Sequence, residues 1–240
     1  MSLASNSRVV IIGGTSGIGL AVATAAAGTG AEVVIGSRSA QSVERALAQL
    51  PGTTKGHTVD VTSAESLTSF FAWAGDFDHL VYTAGDDLVR MPISDYTPDQ
   101  AQRFFDIRLF RALDSVRAAL PTIRPTGSIT LTSGAAAFRG GPGMLLGATV
   151  SGAVISAGRS LAAELSPVRV NVVAPGVVRT PLWAAMPQPE QEALFAGAGA
   201  HTLLGRIAEL DDVAKTYLHL MDQNSTTGTV TLVDSGSVLK

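Results

Sequence analysis

The sequence predicts one α/β domain built on a doubly wound, mostly parallel sheet of about seven strands flanked by helices, and three observations carry that expectation. A β-branched run at the start, Val9-Val10-Ile11-Ile12, leads straight into a glycine-rich turn and an Ala-rich helical stretch. Buried or alternating runs then alternate with helix-period stretches along the whole chain. Hydrophobic residues fill 46% of the 240 positions at a mean hydropathy of +0.29, as strands covered on both faces require, and no Pro/Gly-rich linker divides the chain.

In order, the first half reads as strand Arg8 to Ile12, helix Ile18 to Thr29, strand Glu32 to Ile35, helix Ala40 to Gln49, strand Gly56 to Val59, helix Ala64 to Ala74 and strand His79 to Thr83. These are successive βαβ units. The second half reads as helix Pro98 to Leu120, strand Ser128 to Thr132, helix Thr149 to Glu164, strand Arg169 to Ala174, helix Leu210 to Met221 and strand Thr229 to Val233. Pro98 falls in a first helical turn, where its missing amide costs nothing. The long connection from Pro175 to Arg206 carries Pro181, Trp183, Pro187, Pro189 and Phe195, so residues 181–206 are expected either to cover a ligand as a lid or to run as an ordinary surface excursion.

Charge and cysteine usage narrow the function classes. Seventeen basic and 20 acidic residues give a net charge of −3 without a basic cluster, which argues against a nucleic-acid partner. The chain has no cysteine, so neither thiolate catalysis nor a disulfide framework is available. The start shows no basic segment followed by an apolar signal core, and runs such as Val168 to Ala174 are too short to cross a bilayer. The expectation is a soluble, cytoplasmic protein without a metal site.

The turn Gly13-Gly14-Thr15-Ser16-Gly17-Ile18-Gly19 carries the first chemical signal. Glycines at 13, 17 and 19 permit a tight turn, close backbone approach to a pyrophosphate and close helix-to-sheet packing, while the following helix aims free amides at the phosphates. Leu20 stands where a P-loop needs lysine, so an NTPase is not expected and a dinucleotide is. The second strand runs into Ser37-Arg38, where an NAD site would present a carboxylate to the ribose hydroxyls. Arg38 either pairs with a 2′-phosphate, with Ser37 donating beside it, or starts a surface loop; the first reading selects NADP over NAD. Asp60 either accepts from the adenine amino group, beside the Val61 amide, or caps the next helix.

These segments resemble the short-chain dehydrogenase/reductase family over nearly the full length: Gly13-x3-Gly17-x-Gly19, Asp60-Val61-Thr62, Thr83-Ala84-Gly85, Ser133, Asn171 to Thr180, Thr227-Gly228 and Asp234-Ser235-Gly236. The resemblance implies a Rossmann-like fold, a nicotinamide cofactor, a small-molecule substrate and a homodimer or homotetramer. It further implies that Thr83, Ala84 and Gly85 close one side of the cofactor cleft, and that Pro175, Gly176, Val178 and Thr180 flank its nicotinamide end.

The family's reaction uses an Asn, a Ser, a Tyr and a Lys, the lysine lowering the phenol's pKa so that tyrosine protonates the carbonyl oxygen. Here Ser133 matches the serine, but no Tyr-x3-Lys pair follows it. Anchoring on Arg159-Ser160-Leu161-Ala162 puts Gly147 and Ser151 at the tyrosine and lysine positions, or Leu146 and Val150 with a shift of one. The chain's tyrosines are Tyr82, Tyr96 and Tyr217 and its lysines Lys55, Lys215 and Lys240, so no register restores the pair. Arg108 replaces the asparagine.

Two functions follow. One is a divergent NADP(H)-dependent oxidoreductase acting on a carbonyl or alcohol of a small apolar molecule, with Ser133 and Arg108 in the active site and a non-standard proton donor, for which Tyr82, Tyr96 and His201 are candidates. Met144-Leu145-Leu146 and Trp183 suggest the apolar character. The other is a cofactor-binding or regulatory subunit without turnover.

Overall fold

The computed structural model describes residues 3, 6–86 and 90–240. Among them, seven strands form one parallel sheet: β1 (Arg8–Ile12), β2 (Glu32–Ser37), β3 (Lys55–Thr58), β4 (Phe77–Tyr82), β5 (Ile123–Thr132), β6 (Arg169–Pro175) and β7 (Val230–Val233), in the spatial order β3-β2-β1-β4-β5-β6-β7. The chain winds outward from β1 to β3, then returns to lay β4 against the free side of β1. That reversal opens a crevice at the carboxyl ends of β1 and β4, where open α/β sheets bind ligands.

Burial explains the near-continuous apolar strands. Val9 to Ile12 of β1 and every residue of β6 are buried, because helices cover both faces. On one face, α1 (Gly17–Gly28) sets Val22, Ala23 and Ala26 against Val213, Tyr217 and Leu220 of α8 (Leu210–Asp222), with Ala46 of α2 (Ala40–Leu47) in the same cluster. On the other, Leu67, Phe70 and Phe71 of α3 (Ala64–Ala74) pack with Ala112 and Val116 of α5 (Arg111–Ala119) and with Val154 and Ile155 of α6 (Leu145–Glu164). Tertiary contacts of this kind, rather than local propensity, fix where each element ends.

Several boundaries differ from the sequence expectation. β3 slides one residue early, to Lys55–Thr58, leaving Val59 and Asp60 at the cleft. β5 begins at Ile123 rather than Ser128: Phe77 pairs Ile123, the register shifts, and His79 then pairs Ser128. Gly127 is required in that irregular stretch, since a Cβ there would lie 2.1 Å from the Asp78 carbonyl oxygen.

The expected helix from Pro98 to Leu120 divides into α4 (Pro98–Phe105), a π-helical turn Asp106–Phe110, and α5. Asp106 and Asp114 both hold the Arg111 guanidinium across this break, each at 2.7 Å. α6 starts four residues before Thr149. It is 20 residues long with a mean hydropathy of 1.3, enough to cross a membrane by length and composition, but its Val154, Ile155 and Ala162 are in the core and Gly158 lets it approach Val172 of β6. The 181–206 connection also holds a helix, α7 (Gln188–Ala200), whose Ala/Gly-rich sequence has no apolar stripe.

His79 gives the fold a testable pH dependence. It is buried on β4, its Nδ1 lies 2.9 Å from Ser128 Oγ, and burial pushes the imidazole down to about 4 from 6.5. Between those values the unfolded chain binds more protons than the folded one, so stability is full above 6.5 and is lost as pH falls towards 4. Denaturant titration is expected to show a loss of about 2 kcal/mol between pH 7.5 and pH 5. His79→Asn should remove that component, and an unchanged slope would show that other groups produce it.

Candidate active site

A cleft of about 920 Å³ runs along the carboxyl ends of the strands. At its floor, Gly13 has φ +87° and its amide donates to the Gly36 carbonyl at 2.8 Å, so the turn folds back on β2. Thr83 clasps the same turn, its Oγ1 donating to the Ile12 and Gly13 carbonyls at 3.1 and 3.3 Å. A Cβ on Gly19 would lie 2.2 Å from the Gly13 oxygen. Glycine there is therefore a packing requirement.

The start of α1 faces the cleft with no side-chain cap at Ser16 and no acidic residue in the first turn. Gly17, Ile18 and Gly19 line the cleft there, as do Thr15 and Ser16, so the unpaired amides of a helix start are presented to it. Thr180 lies opposite, its Cβ 3.4 Å from where a Cβ of Gly17 would be. Together these residues form a cradle that fits a pyrophosphate.

At one end lie Ser37, Arg38, Asp60 and Val61. Asp60 does not cap α3, as one reading had it; Ser63 does, accepting from the Ser66 amide. Asp60 instead accepts from Thr62 Oγ1 at 2.7 Å and the Thr62 amide at 2.9 Å, and these two bonds hold its carboxyl below the usual carboxylate range. Ala84 and Gly85 line the middle of the cleft, with Pro175, Gly176 and Val178 beyond them. A Cβ on Gly176 would come within 3.0 Å of Asp234, so this turn is pressed against the end of β7. Asn171 is structural: its side chain bonds Thr226 and Thr229 and shapes the turn before β7.

Ser133 and Arg108 sit at the other end. Ser133 Oγ donates to the Ser151 carbonyl at 2.8 Å, which commits its proton and leaves its lone pairs to accept. Arg108 projects from the π turn, a feature frequent at functional sites. Its guanidinium stacks 4.3 Å over Phe104 and bonds both the carboxylate and the backbone oxygen of Asp86. Asp86 also lines the cleft and was not legible as Arg108's partner, because the two are 22 residues apart.

In one of the two registers, Gly147 and Ser151 both line the cleft, whereas in the other Val150 lines it but Leu146 is buried with Met91 and Phe104. A Cβ on Gly147 would meet nothing within 4 Å, so open space stands where a tyrosine is expected. Neither core tyrosine fills it. Tyr82 is buried and donates to the Ile107 carbonyl at 2.6 Å, and burial raises its phenol well above the ordinary value. Tyr217 is fully buried, 2.6 Å from Thr132 Oγ1; that hydroxyl gives its own proton to the Tyr82 carbonyl, so Tyr217 is the donor of the pair. Tyr96 is exposed and does not line the cleft, and neither does any of the three lysines. His201, at the end of α7, does. Its Nδ1 is 2.8 Å from the Gly197 carbonyl, which only accepts, so Nδ1 carries a proton and Nε2 is left for other partners.

Comparison with known proteins places this geometry. The family described as enoyl-(acyl carrier protein) reductase matches residues 13–237. The short-chain dehydrogenase/reductase ATR9 of Stachybotrys chlorohalonatus is 35% identical over 97% of each chain, and malC of Malbranchea aurantiaca is 34% identical over 97% of this chain and 95% of its own. The chain belongs to the short-chain dehydrogenase/reductase family, an oxidoreductase family that binds nicotinamide cofactors. Among solved structures, the MalC reductase/Diels-Alderase aligns with a TM-score of 0.91 at 32% identity, covering 100% of this chain and 99% of that one. A small-chain dehydrogenase in complex with NADPH aligns at 0.82 with 27% identity, covering 98% and 100%.

Proposed function

We propose that this protein is an NADP(H)-dependent oxidoreductase that reduces a carbonyl, or oxidises the corresponding alcohol, in a small apolar organic molecule, with His201 in place of the usual tyrosine as proton donor. The carrying observation is that His201 and the open space beside Gly147 belong to the same cleft as the glycine turn and Arg38. Bound there, the nicotinamide supplies hydride. The remaining tasks fall to this chain. The α1 amides hold the pyrophosphate, and Arg38 with Ser37 holds the 2′-phosphate. Arg108, steadied by Asp86 and Phe104, directs guanidinium N–H groups at a developing oxyanion. With Gly197 fixing Nδ1–H, a protonated His201 delivers its proton from Nε2. Leu182, Trp183, Met144 and Val154 give that half of the cleft its apolar lining.

The name of the M. aurantiaca structure, a reductase and Diels-Alderase, supports reduction of an organic substrate by a chain 32% identical to it. Membership of a family that often oligomerises supports a homodimer or homotetramer. A second reading, cofactor binding without turnover, is favoured by the absence of tyrosine and lysine from the described cleft lining.

The test is a panel of apolar ketones, aldehydes and alcohols assayed with NADP(H) for the wild type and His201→Gln across pH 5–9. Turnover that falls roughly 100-fold in the variant is expected. Unchanged turnover would remove His201 from the role, and no turnover on any substrate would favour the second reading.

A further inference from the structure

Beyond β7, the chain makes a strap across the outer rim of the cleft. Asp234 shapes its start, accepting from the Gly236 amide at 3.0 Å, Ser237 Oγ at 2.9 Å and the Val238 amide at 3.0 Å. Burial alone would raise the Asp234 carboxyl, but these bonds outweigh it and hold it low. Gly236, at φ +79°, packs so closely on Leu203 that a Cβ would lie 2.9 Å from it, and the Leu204 amide donates to the Ser235 carbonyl at 3.2 Å.

The strap is then fastened on two sides. Arg139 donates to the Ser237 carbonyl at 2.9 Å and also to the Lys240 carbonyl. The Lys240 ammonium donates to the Ala200 and Thr202 carbonyls at 2.8 and 3.3 Å, supplying a cation and donors to the end of α7, where helix carbonyls lack partners. Ser237 and Val238 line the cleft from the strap, and Ala198 and His201 line it from α7.

Besides the strap, the end of α7 is held where Gly199 packs on the Arg206 and Ile207 backbone and Thr202 Oγ1 bonds the Gly199 and Arg206 carbonyls, each at 2.9 Å. The buried residues of α7 are Phe195 and Gly199; Phe195 meets Trp183 edge-on and lies under Arg179, which pairs with Glu192 at 2.7 Å. Those contacts fix the middle of the helix. Its cleft-facing end is tied to the strap.

We propose that Lys240 and Arg139 are size-determining residues for the substrate, Arg139 holding the strap 237–240 from the segment before α6 and Lys240 fastening it to the end of α7, so that strap and helix end move as one wall. The inference rests on reading that half of the cleft as the substrate side. Arg139 lines the cleft, but the bonds of both residues go to the strap and the end of α7 and not to the glycine turn or Arg38, so the device is expected to act on substrate access and not on the cofactor.

Hydrogen exchange of the full chain, with Nile red as a bulky apolar probe, tests it. In Lys240→Met the amides of the last two turns of α7 should exchange about fivefold faster, while Lys240→Arg, which keeps the donors, stays within about twofold of the wild type. Arg139→Ala should accelerate the same amides. Nile red should bind at least about threefold more tightly to Lys240→Met, with NADPH affinity unchanged. Unchanged α7 exchange in both loss variants would overturn the proposal, as would faster exchange without any change in dye binding. A wild type that fails to bind NADPH would refute the functional reading instead, and would leave the exchange result standing.

Discussion

Gly19→Ala is expected to lower NADPH affinity by about 10- to 100-fold, the equivalent of an overpacking cost of about 1–3 kcal/mol. The reason is geometric. The added Cβ would fall 2.2 Å from the Gly13 carbonyl oxygen and 2.5 Å from Thr83 Oγ1, and neither atom is the far end of a flexible side chain. Gly13 is pinned to Gly36, and Thr83 is itself bonded to the turn, so relief requires lifting α1 away from the phosphate cradle. Fluorescence titration of NADPH measures the loss, and urea unfolding separates it from global destabilisation. Gly28→Ala in the same helix is the control: nothing lies within 4 Å of its Cβ position, so affinity should hold. Equal losses in both variants would mean that a fault common to α1, and not the turn, sets the affinity.

Arg38→Ala should produce the next largest effect, and a selective one. A charge-assisted bond to a 2′-phosphate is worth about 1.5–3 kcal/mol, so NADPH affinity should drop on the order of 10- to 100-fold while NADH affinity moves less than about twofold. The selectivity rests on the end of β2, where Ser37 and Arg38 line the cleft and no carboxylate stands at the strand end to receive ribose hydroxyls. Salt should mimic the substitution in part, weakening NADPH more than NADH, because this part of the cleft is open to solvent. A parallel loss for both cofactors would mean that Arg38 stacks on the adenine and does not read the phosphate.

The fold was legible because its signals are local and redundant. β1 is a β-branched run beside a glycine turn, and the apolar runs of β6 and the central strands have no other use than burial on two faces. That Gly13, Gly17, Gly19, Arg38, Asp60 and Thr83 meet in one cleft was legible for the same reason, since they lie in or next to strand ends and one topology brings them together. The absence of the Tyr-Lys pair needed only a census. The opposite end of the cleft depends on long-range partners. Asp86 meets Arg108 through the π turn, which no period in the sequence announces. α7 is hidden by its alanines and glycines, and Lys240 reaches carbonyls some 40 positions back along the chain. Tyr82, a candidate donor by residue type, is taken out of reach because strand alternation turns its ring into the core.

The central claim is that this cleft still transfers hydride although the usual proton donor is gone. Its most direct measurement is deuterium transfer from C4-deuterated NADPH, with the products of the ketone and aldehyde panel read by mass spectrometry. The wild type should form a product one deuterium heavier at the former carbonyl carbon, with the label carried from one face of the cofactor only. NADPH that binds tightly in titration yet passes no deuterium to any member of the panel would contradict it.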